Sequence, residues 1–349
     1  MKFKQIKIPT NNININTVIE GSGVPLFFIH GWPESFYSWR HQINFFSKLG
    51  YKVIVPDVRG YGSSDKPENI SDYSMKKITT DLIGILDYLG ENKAHIVGHD
   101  WGAPISWYTS LLYPERILSV SGLSVPHSFL GSDIKPTEML KELYKKNFFY
   151  ILYFQKEGVA EKEFEKNMKN SLRLIFSNSD YQGMLKNIES MINQKKFKGE
   201  GFLDGMKNFE TLPKWLKEND LIFYTDQFLS SGMRGPLNRY RCIDLDWEEL
   251  NHLSNEKISK PSCFITGDLD PVNFMVLNGL KSSGQDKSDD ELFKDHINKN
   301  YSDNTRIEDI PFLPISFFKN HKIQSNQKSK SKLFLSSGTT GKKSKHYVT

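Results

Sequence analysis

The chain has 349 residues, 38% of them hydrophobic, and a formal net charge of +5, enough length for one large core or a core with an inserted lid. Eight of its lysines and no acidic residue fall within 310–349, so the remainder carries −3 and the basicity is a property of the tail. No folded basic face with base-reading side chains is visible, no apolar run reaches 18 residues, and Cys242 and Cys263 are the only thiols; these exclude a nucleic-acid role for the core, membrane insertion, a disulfide framework and a cysteine metal site. The amino terminus, Met1-Lys2-Phe3-Lys4-Gln5, lacks a secretory apolar segment, so the expected setting is soluble and cytoplasmic.

Strand and helix signals alternate from the start. Pro25-Leu26-Phe27-Phe28-Ile29 predicts a short buried strand over 24–29 that delivers His30-Gly31-Trp32-Pro33 at its carboxyl end. A helix over 35–49, a strand over 52–56, a helix over 75–89, a strand over 94–97, a helix over 103–112 and a strand over 117–123 follow. This order predicts an α/β fold with a mostly parallel, doubly wound sheet covered on both faces, whose carboxyl edge is the place for chemistry.

Between the strand at 94–97 and the helix at 103–112 stands Gly98-His99-Asp100-Trp101-Gly102. A sharp strand-to-helix turn strains its central residue and brings backbone too close for large neighbours, which is a task for flanking glycines. A carboxylate held there attacks an electrophilic carbon to form an ester, whereas a serine attacks a carbonyl to form an acyl-enzyme. A solvent-facing aspartate in a glycine-rich loop is the alternative at this point. The backbone N–H groups of Trp32 and Trp101 make the two halves of an oxyanion hole. His30 reads as a turn residue that satisfies local backbone groups, not as a proton carrier.

From 127 to 253 the pattern changes to helical segments with Lys/Glu faces and aromatic stripes, for example 138–154 and 161–176. An all-helical insertion over the carboxyl edge of a sheet is a lid that excludes water. A strand over 261–266 then leads into Gly267-Asp268-Leu269-Asp270, 281–290 is a low-complexity surface insertion, and 306–310 is the last strand candidate. The expected division is a first core part at 1–126, a helical cap at 127–253, a second core part at 254–320, and a disordered Lys/Ser tail at 321–349.

Three of these stretches, His30-Gly31-Trp32-Pro33, Asp57-Val58-Arg59-Gly60-Tyr61-Gly62-Ser63-Ser64-Asp65-Lys66-Pro67 and Gly98-His99-Asp100-Trp101-Gly102, resemble the epoxide hydrolases of the α/β-hydrolase superfamily in identity, order and spacing. The resemblance runs from about Val18 to Asp270. It implies the α/β-hydrolase fold with an inserted helical cap, and it makes Asp100 the nucleophile. Asn147-Phe148-Phe149-Tyr150-Ile151-Leu152-Tyr153-Phe154-Gln155 and Arg234-Gly235-Pro236-Leu237-Asn238-Arg239-Tyr240-Arg241 resemble the two cap segments that carry the catalytic tyrosines, which fall on Tyr150 and Tyr240. Pro33 and Phe154 are implied to line the substrate site. The carboxylate that orients the base is implied to be Asp270, with Asp268 its rival. The implied reaction is hydrolysis of a small lipophilic epoxide to a vicinal diol through an Asp-linked ester, with water as co-substrate and no cofactor or metal. A haloalkane or haloacid dehalogenase uses the same nucleophile, but its substrate has no oxygen for two phenols to hold. A hydrolase-fold protein impaired by lack of the triad histidine is the other alternative.

After Asp270 the pattern is lost. The family reads His-Phe after the final strand, followed by an acidic residue and a proline, and nothing in 304–349 matches. His296 comes before the last strand candidate, His346 lies in the tail, and His321 is the best-placed histidine in frame. The segment Pro314-Ile315-Ser316-Phe317-Phe318-Lys319-Asn320-His321-Lys322 can be encoded so that a neighbouring frame spells His-Phe-Ile-Leu-Gln-Glu-Pro-Gln, which resembles the missing stretch one residue short. A frameshift or wrong exon boundary near 312–314 is the reading that follows, and a replaced carboxyl terminus would also hide a peroxisomal address.

Overall fold

The computed structural model describes residues 3–127, 133–145, 147–179, 199–254, 256–267, 270, 272, 321–324, 332–336 and 344–348. The chain opens with a hairpin that the sequence reading did not anticipate, β1 (Gln5–Thr10) and β2 (Ile13–Glu20). Asn11 and Asn12 both take positive φ, 46° and 62°, the left-handed pair that a two-residue hairpin turn needs and that asparagine tolerates. β3 (Val24–Ile29), β4 (Tyr51–Pro56), β5 (Ala94–His99), β6 (Ile117–Leu123) and β7 (Ser262–Gly267) follow.

The sheet runs in the order β1-β2-β4-β3-β5-β6-β7, and β8 (His321–Gln324) closes the far edge. The four pairings from β4 to β7 are parallel; β1, β2 and β8 are antiparallel additions at the two edges. The chain moves from β3 outward to β4, then returns to lay β5 on β3's other side. That reversal opens a crevice at the carboxyl ends of β3 and β5, where 30–33 and 98–102 emerge.

Helices α1 (Arg40–Lys48), α2 (Met75–Tyr88) and α3 (Gly102–Leu112) cover the sheet. The helix expected from residue 35 begins instead as a 3-10 turn, Phe36–Trp39, with the Ser35 hydroxyl accepting the Tyr37 N–H at 3.3 Å. Ser74 caps α2 by accepting the Lys77 N–H. α3 is buried on every side from Gly102 to Ser110, the mark of a helix packed between two layers. Phe27, Phe28 and Trp107 are at most 1% exposed, each contributing about 1.5–3 kcal/mol through burial.

Between β6 and β7 the chain forms α4 (Pro136–Leu143), α5 (Tyr150–Phe154), α6 (Val159–Glu165), α7 (Met168–Asn178), α8 (Glu218–Ser231), α9 (Arg234–Arg241) and α10 (Ile243–Leu250). The two long helices expected at 138–154 and 161–176 are each broken. Phe149 is extended (φ −138°, ψ 123°) and its ring stacks on Tyr144 at 4.1 Å, so packing overrides the helical period. Asn167 Oδ1 accepts the Asn170 N–H at 3.1 Å and caps a new helix.

The helical segment is tied to the core at several places. Asp220 of α8 accepts from Tyr37 at 2.8 Å and pairs with Arg40 at 3.3 Å. Asp246 of α10 accepts the Met75 N–H at 2.6 Å. The loop after 267 bears Asp270, whose N–H bonds the Gly267 carbonyl at 3.0 Å. Asp268, His296, the insertion at 281–290, the strand candidate at 306–310 and the presumed junction at 312–314 lie outside the described residues.

The expected disordered tail needs correction over three backbone stretches. β8 pairs antiparallel with β7, placing His321 opposite Gly267, and β9 (Lys332–Ser336) pairs with β10 (Ser344–Val348). The free edge of β7 offers unpaired N–H and C=O groups to any extended segment, and Leu333-Phe334-Leu335 favours a strand. Among the described residues, no helix is long and apolar enough to cross a membrane.

Candidate active site

Asp100 sits at the turn from β5 into α3 with φ 52°, a conformation that side-chain-bearing residues seldom adopt. The turn is closed by the Asp100 N–H on the Leu123 carbonyl (3.2 Å) and by the Ala103 N–H on the Asp100 carbonyl (3.0 Å). A Cβ on Gly102 would lie 2.1 Å from the Ile29 carbonyl oxygen, and one on Gly31 would lie 2.3 Å from both Cβ and Oδ1 of Asp100. The glycines are therefore steric requirements of bringing β3's loop onto the turn that carries Asp100.

The Trp32 backbone N–H donates to Asp100 Oδ1 at 2.7 Å. Burial pushes the Asp100 carboxyl up to about 6, against the downward pull of the His99 charge and the Trp32 and Trp101 N–H groups. The loop bearing Trp32 is held from behind by His30, which is 1% exposed. His30 Nε2 accepts the Val58 N–H at 3.0 Å, so its proton resides on Nδ1, which donates to the Gly31 carbonyl at 2.9 Å. Burial lowers its pKa. His30 is thus a neutral turn residue, engaged at both nitrogens, and the Asp57-Val58-Arg59 loop is the partner that holds it.

Tyr150 opens α5 and Tyr240 lies within α9, yet their rings stand 5.9 Å apart, edge to face. Burial first, and the Asp100 charge next, raise the pKa of both phenols, so both keep their protons and remain donors. Phe154, fully buried, packs on Tyr240 at 5.0 Å, on Trp32 at 5.4 Å and on Tyr150 at 5.7 Å. Pro33 is buried and joined to Trp32 by a cis peptide bond. Asp270 Oδ1 accepts the Val272 N–H at 2.9 Å. Burial raises its pKa, opposed by hydrogen bonds from Ser124 and Val272 and by the His99 charge. The structure therefore brings Asp100, Trp32, Trp101, Pro33, Tyr150, Phe154 and Tyr240 to one place, with Asp270 close enough to feel the same imidazolium. His321 stands on β8, opposite Gly267 in the register.

Three groups at this place escaped the sequence reading. Glu34 accepts the Gly31 N–H through Oε2 (2.9 Å) and meets His99 Nδ1 through Oε1 (3.0 Å). Burial pulls the His99 imidazole down, but Glu34, Asp100 and Asp270 together bring it to about 9. The Glu34 carboxyl is held low despite burial, because His99 and the Gly31 N–H favour its charge. Phe202 packs on Trp32, Phe154 and Phe164 with ring separations of 5.3–5.6 Å between 202 and those three, in a loop whose Phe202 and Leu203 N–H groups both donate to Glu163. Arg239, beside Tyr240, is 2% exposed. An Arg one position before a candidate tyrosine, with Asp246 seven residues on, was the legible signal for the last. Among the described residues, no group of three or more His, Cys, Asp or Glu side chains could hold a metal ion.

Known proteins share this outline. The sequence family described as the alpha/beta hydrolase fold matches residues 24–279. The chain is 38% identical over 267 residues to epoxide hydrolase A of Mycobacterium tuberculosis, covering 76% of this chain and 82% of that protein. Epoxide hydrolase 1 of Siraitia grosvenorii is 37% identical over 271 residues, with 78% and 82% covered. Among solved structures, epoxide hydrolase A from Mycobacterium thermoresistibile superposes with a TM-score of 0.71 at 39% identity, over 76% of this chain and 83% of that one. An epoxide hydrolase from an endophytic Streptomyces gives a TM-score of 0.75 at 34% identity, over 81% and 84%.

Proposed function

The chain belongs to the epoxide hydrolase family of the α/β-hydrolase superfamily, and from that membership we propose that Asp100 opens a lipophilic epoxide to begin its hydrolysis to a vicinal diol. The observation that carries this reading is a carboxylate at the elbow facing two protonated phenols, Tyr150 and Tyr240, whose ionisation its charge opposes.

In the first step Asp100 Oδ2 attacks a ring carbon. The C–O bond on the far side breaks, and its electron pair stays on the ring oxygen, which takes a proton from one of the two phenols. The product is a hydroxyalkyl ester on Asp100. In the second step water adds to the ester carbonyl carbon while an imidazole takes its proton. The charge then falls on the oxygen already held by the Trp32 N–H, with the Trp101 N–H, which also favours this carboxylate's charge, as the second donor of the proposed hole. Collapse breaks the ester C–O bond; the leaving oxygen takes the hydroxyl proton of the intermediate to give the diol, the carboxylate is restored, and the proton held by the imidazole returns to the phenolate left by the first step. Asp270 is the carboxylate proposed to orient that imidazole. The histidine belongs to the part of the chain after Asp270, with His321 its in-frame candidate.

The residues at 127–253 serve on this reading as the lid, and Pro33 and Phe154 line the apolar side of the substrate site. Two free, buried cysteines accord with a cytoplasmic setting. A dehalogenase would use the same carboxylate, but a halide leaving group gives two phenols nothing to protonate.

The test is incubation with styrene oxide followed by peptide mass spectrometry. One equivalent of substrate mass on the Asp100 peptide, absent in Asp100→Asn, is the expected result. No adduct and no diol, or an adduct on another residue, would overturn the assignment.

A further inference from the structure

The proposed mechanism uses Trp101 only through its backbone and leaves Arg239 unused, yet the two side chains are in contact directly behind Tyr240. The Arg239 guanidinium lies 4.7 Å from the centre of the Trp101 ring, a cation over an aromatic face. It also ion-pairs with Asp246 of α10 and donates to the Tyr73 carbonyl in the core. Asp246 in turn accepts the Met75 N–H at the start of α2. The Trp101 ring meets the Tyr240 ring edge-on, 5.2 Å between centres and 81° between planes, so its indole N–H lies on the side of the Tyr240 hydroxyl and favours the phenolate there. A guanidinium is costly to bury, and anchoring α9 to the core needs no cation against this particular ring.

We propose that Arg239 and the Trp101 indole form a positioning pair that aims and polarises the Tyr240 phenol for epoxide opening. With the indole N–H on it, the Tyr240 oxygen presents its own proton elsewhere, toward the cavity shared with Tyr150 and Asp100. Donation into that oxygen strengthens its outgoing hydrogen bond. As the ring C–O bond breaks, the Tyr240 proton passes to the departing oxygen. The phenolate left behind is held by the indole N–H, with the Arg239 charge on the indole's face, until the proton taken up by the base in the second step returns to it. This inference rests on the assignment of Asp100 and Tyr240 above. It gives Trp101 two independent duties in one reaction, its backbone serving the second step and its side chain the first.

The experiment is a rapid-mixing measurement of Asp100 alkylation by styrene oxide in the full chain and in Trp101→Phe, Tyr240→Phe, the double variant, Arg239→Lys and Arg239→Met. Trp101→Phe keeps the ring and the backbone N–H but loses the donor, and is expected to slow alkylation roughly tenfold, the rate equivalent of one hydrogen bond. The concentration for half-maximal rate should barely move. In the Tyr240→Phe background the same change should alter the rate by less than about twofold, since both act on one hydroxyl. Arg239→Lys should retain more of the rate than Arg239→Met.

A Trp101→Phe protein that alkylates at the parent rate overturns the inference, as does one that loses the same factor with and without the Tyr240 hydroxyl. Should Arg239→Met fail to fold by circular dichroism, the Trp101 and Tyr240 cycle decides alone. A parent chain that forms no Asp100 ester overturns the underlying assignment as well, so the two failures are distinct.

Discussion

The backbone N–H of Trp32 donates to Oδ1 of Asp100 at 2.7 Å, although 68 residues separate them. One carboxylate oxygen is therefore committed to the loop after β3, and the other is left for attack. The held oxygen becomes the carbonyl oxygen of the proposed ester, so the Trp32 N–H that steadies the resting carboxylate is already where the second step develops charge.

Replacing Gly31 by alanine tests that geometry, because the new Cβ would meet Asp100 Cβ and Oδ1 at 2.3 Å. The loop must withdraw or the elbow must shift. We expect a stability loss of about 1–3 kcal/mol and a fall in Asp100 alkylation of at least about a hundredfold. Thermal denaturation and adduct formation rates check both; a normal alkylation rate in a folded Gly31→Ala protein would contradict the close approach.

Tyr150→Phe and Tyr240→Phe should each slow epoxide opening by roughly ten- to a hundredfold, and the double variant by more than either. Single-turnover adduct formation is the measurement. Halide release from an alkyl halide by a chain that leaves styrene oxide untouched would move the assignment to a dehalogenase.

The alkylation rate should depend on pH through Asp100 itself. Burial holds this carboxyl up at about 6, so the reactive carboxylate accumulates as pH rises through that value and is lost below it. His99, raised to about 9 by Glu34 and the neighbouring carboxylates in spite of burial, is a cation at neutral pH and pulls Asp100 down. Removing that cation in His99→Gln should move the acid limb to higher pH. A limb that stays in place, read from adduct rates between pH 5 and 8 (about the range His and shifted carboxylates span), would exclude His99 as a determinant.

If the triad histidine is missing from this chain, only the second step suffers. The protein should then take up one equivalent of styrene oxide as a stable Asp100 ester and release no diol. Resequencing the transcript across 312–322 should reveal a frame that encodes His-Phe-Ile-Leu-Gln-Glu-Pro-Gln, and the chain translated from it should turn over continuously. Steady diol production by the present chain, or a clean open frame through Thr349 on independently cloned messenger, would remove this expectation.

Much of the core was legible because its signals are local. Apolar runs of strand length, alternation with helical periods and the glycines around Asp100 all act over a few neighbouring residues, so β3, β4, β5, β6 and α3 appear where their letters put them. The hairpin of β1 and β2 was also encoded locally, in the Asn11-Asn12 pair between two strand-like runs, and could have been read from that pair. The broken helices around Phe149 and Asn167 could not, since the stacking of Phe149 on Tyr144 and the packing of this aromatic segment outweigh a weak helical preference.

The amino-acid order alone determined the carboxylate at the elbow, the glycines that admit it and the alternation that builds a parallel sheet. These are properties of adjacent residues and of their steric limits. Only the tertiary structure decided that phenols from α5 and α9 meet one carboxylate, that Glu34 charges His99 beside it, and that Arg239 lies against the ring of Trp101. Convergence of groups far apart in the chain follows from how layers pack around a shared core, and burial then sets the charge that each group can carry.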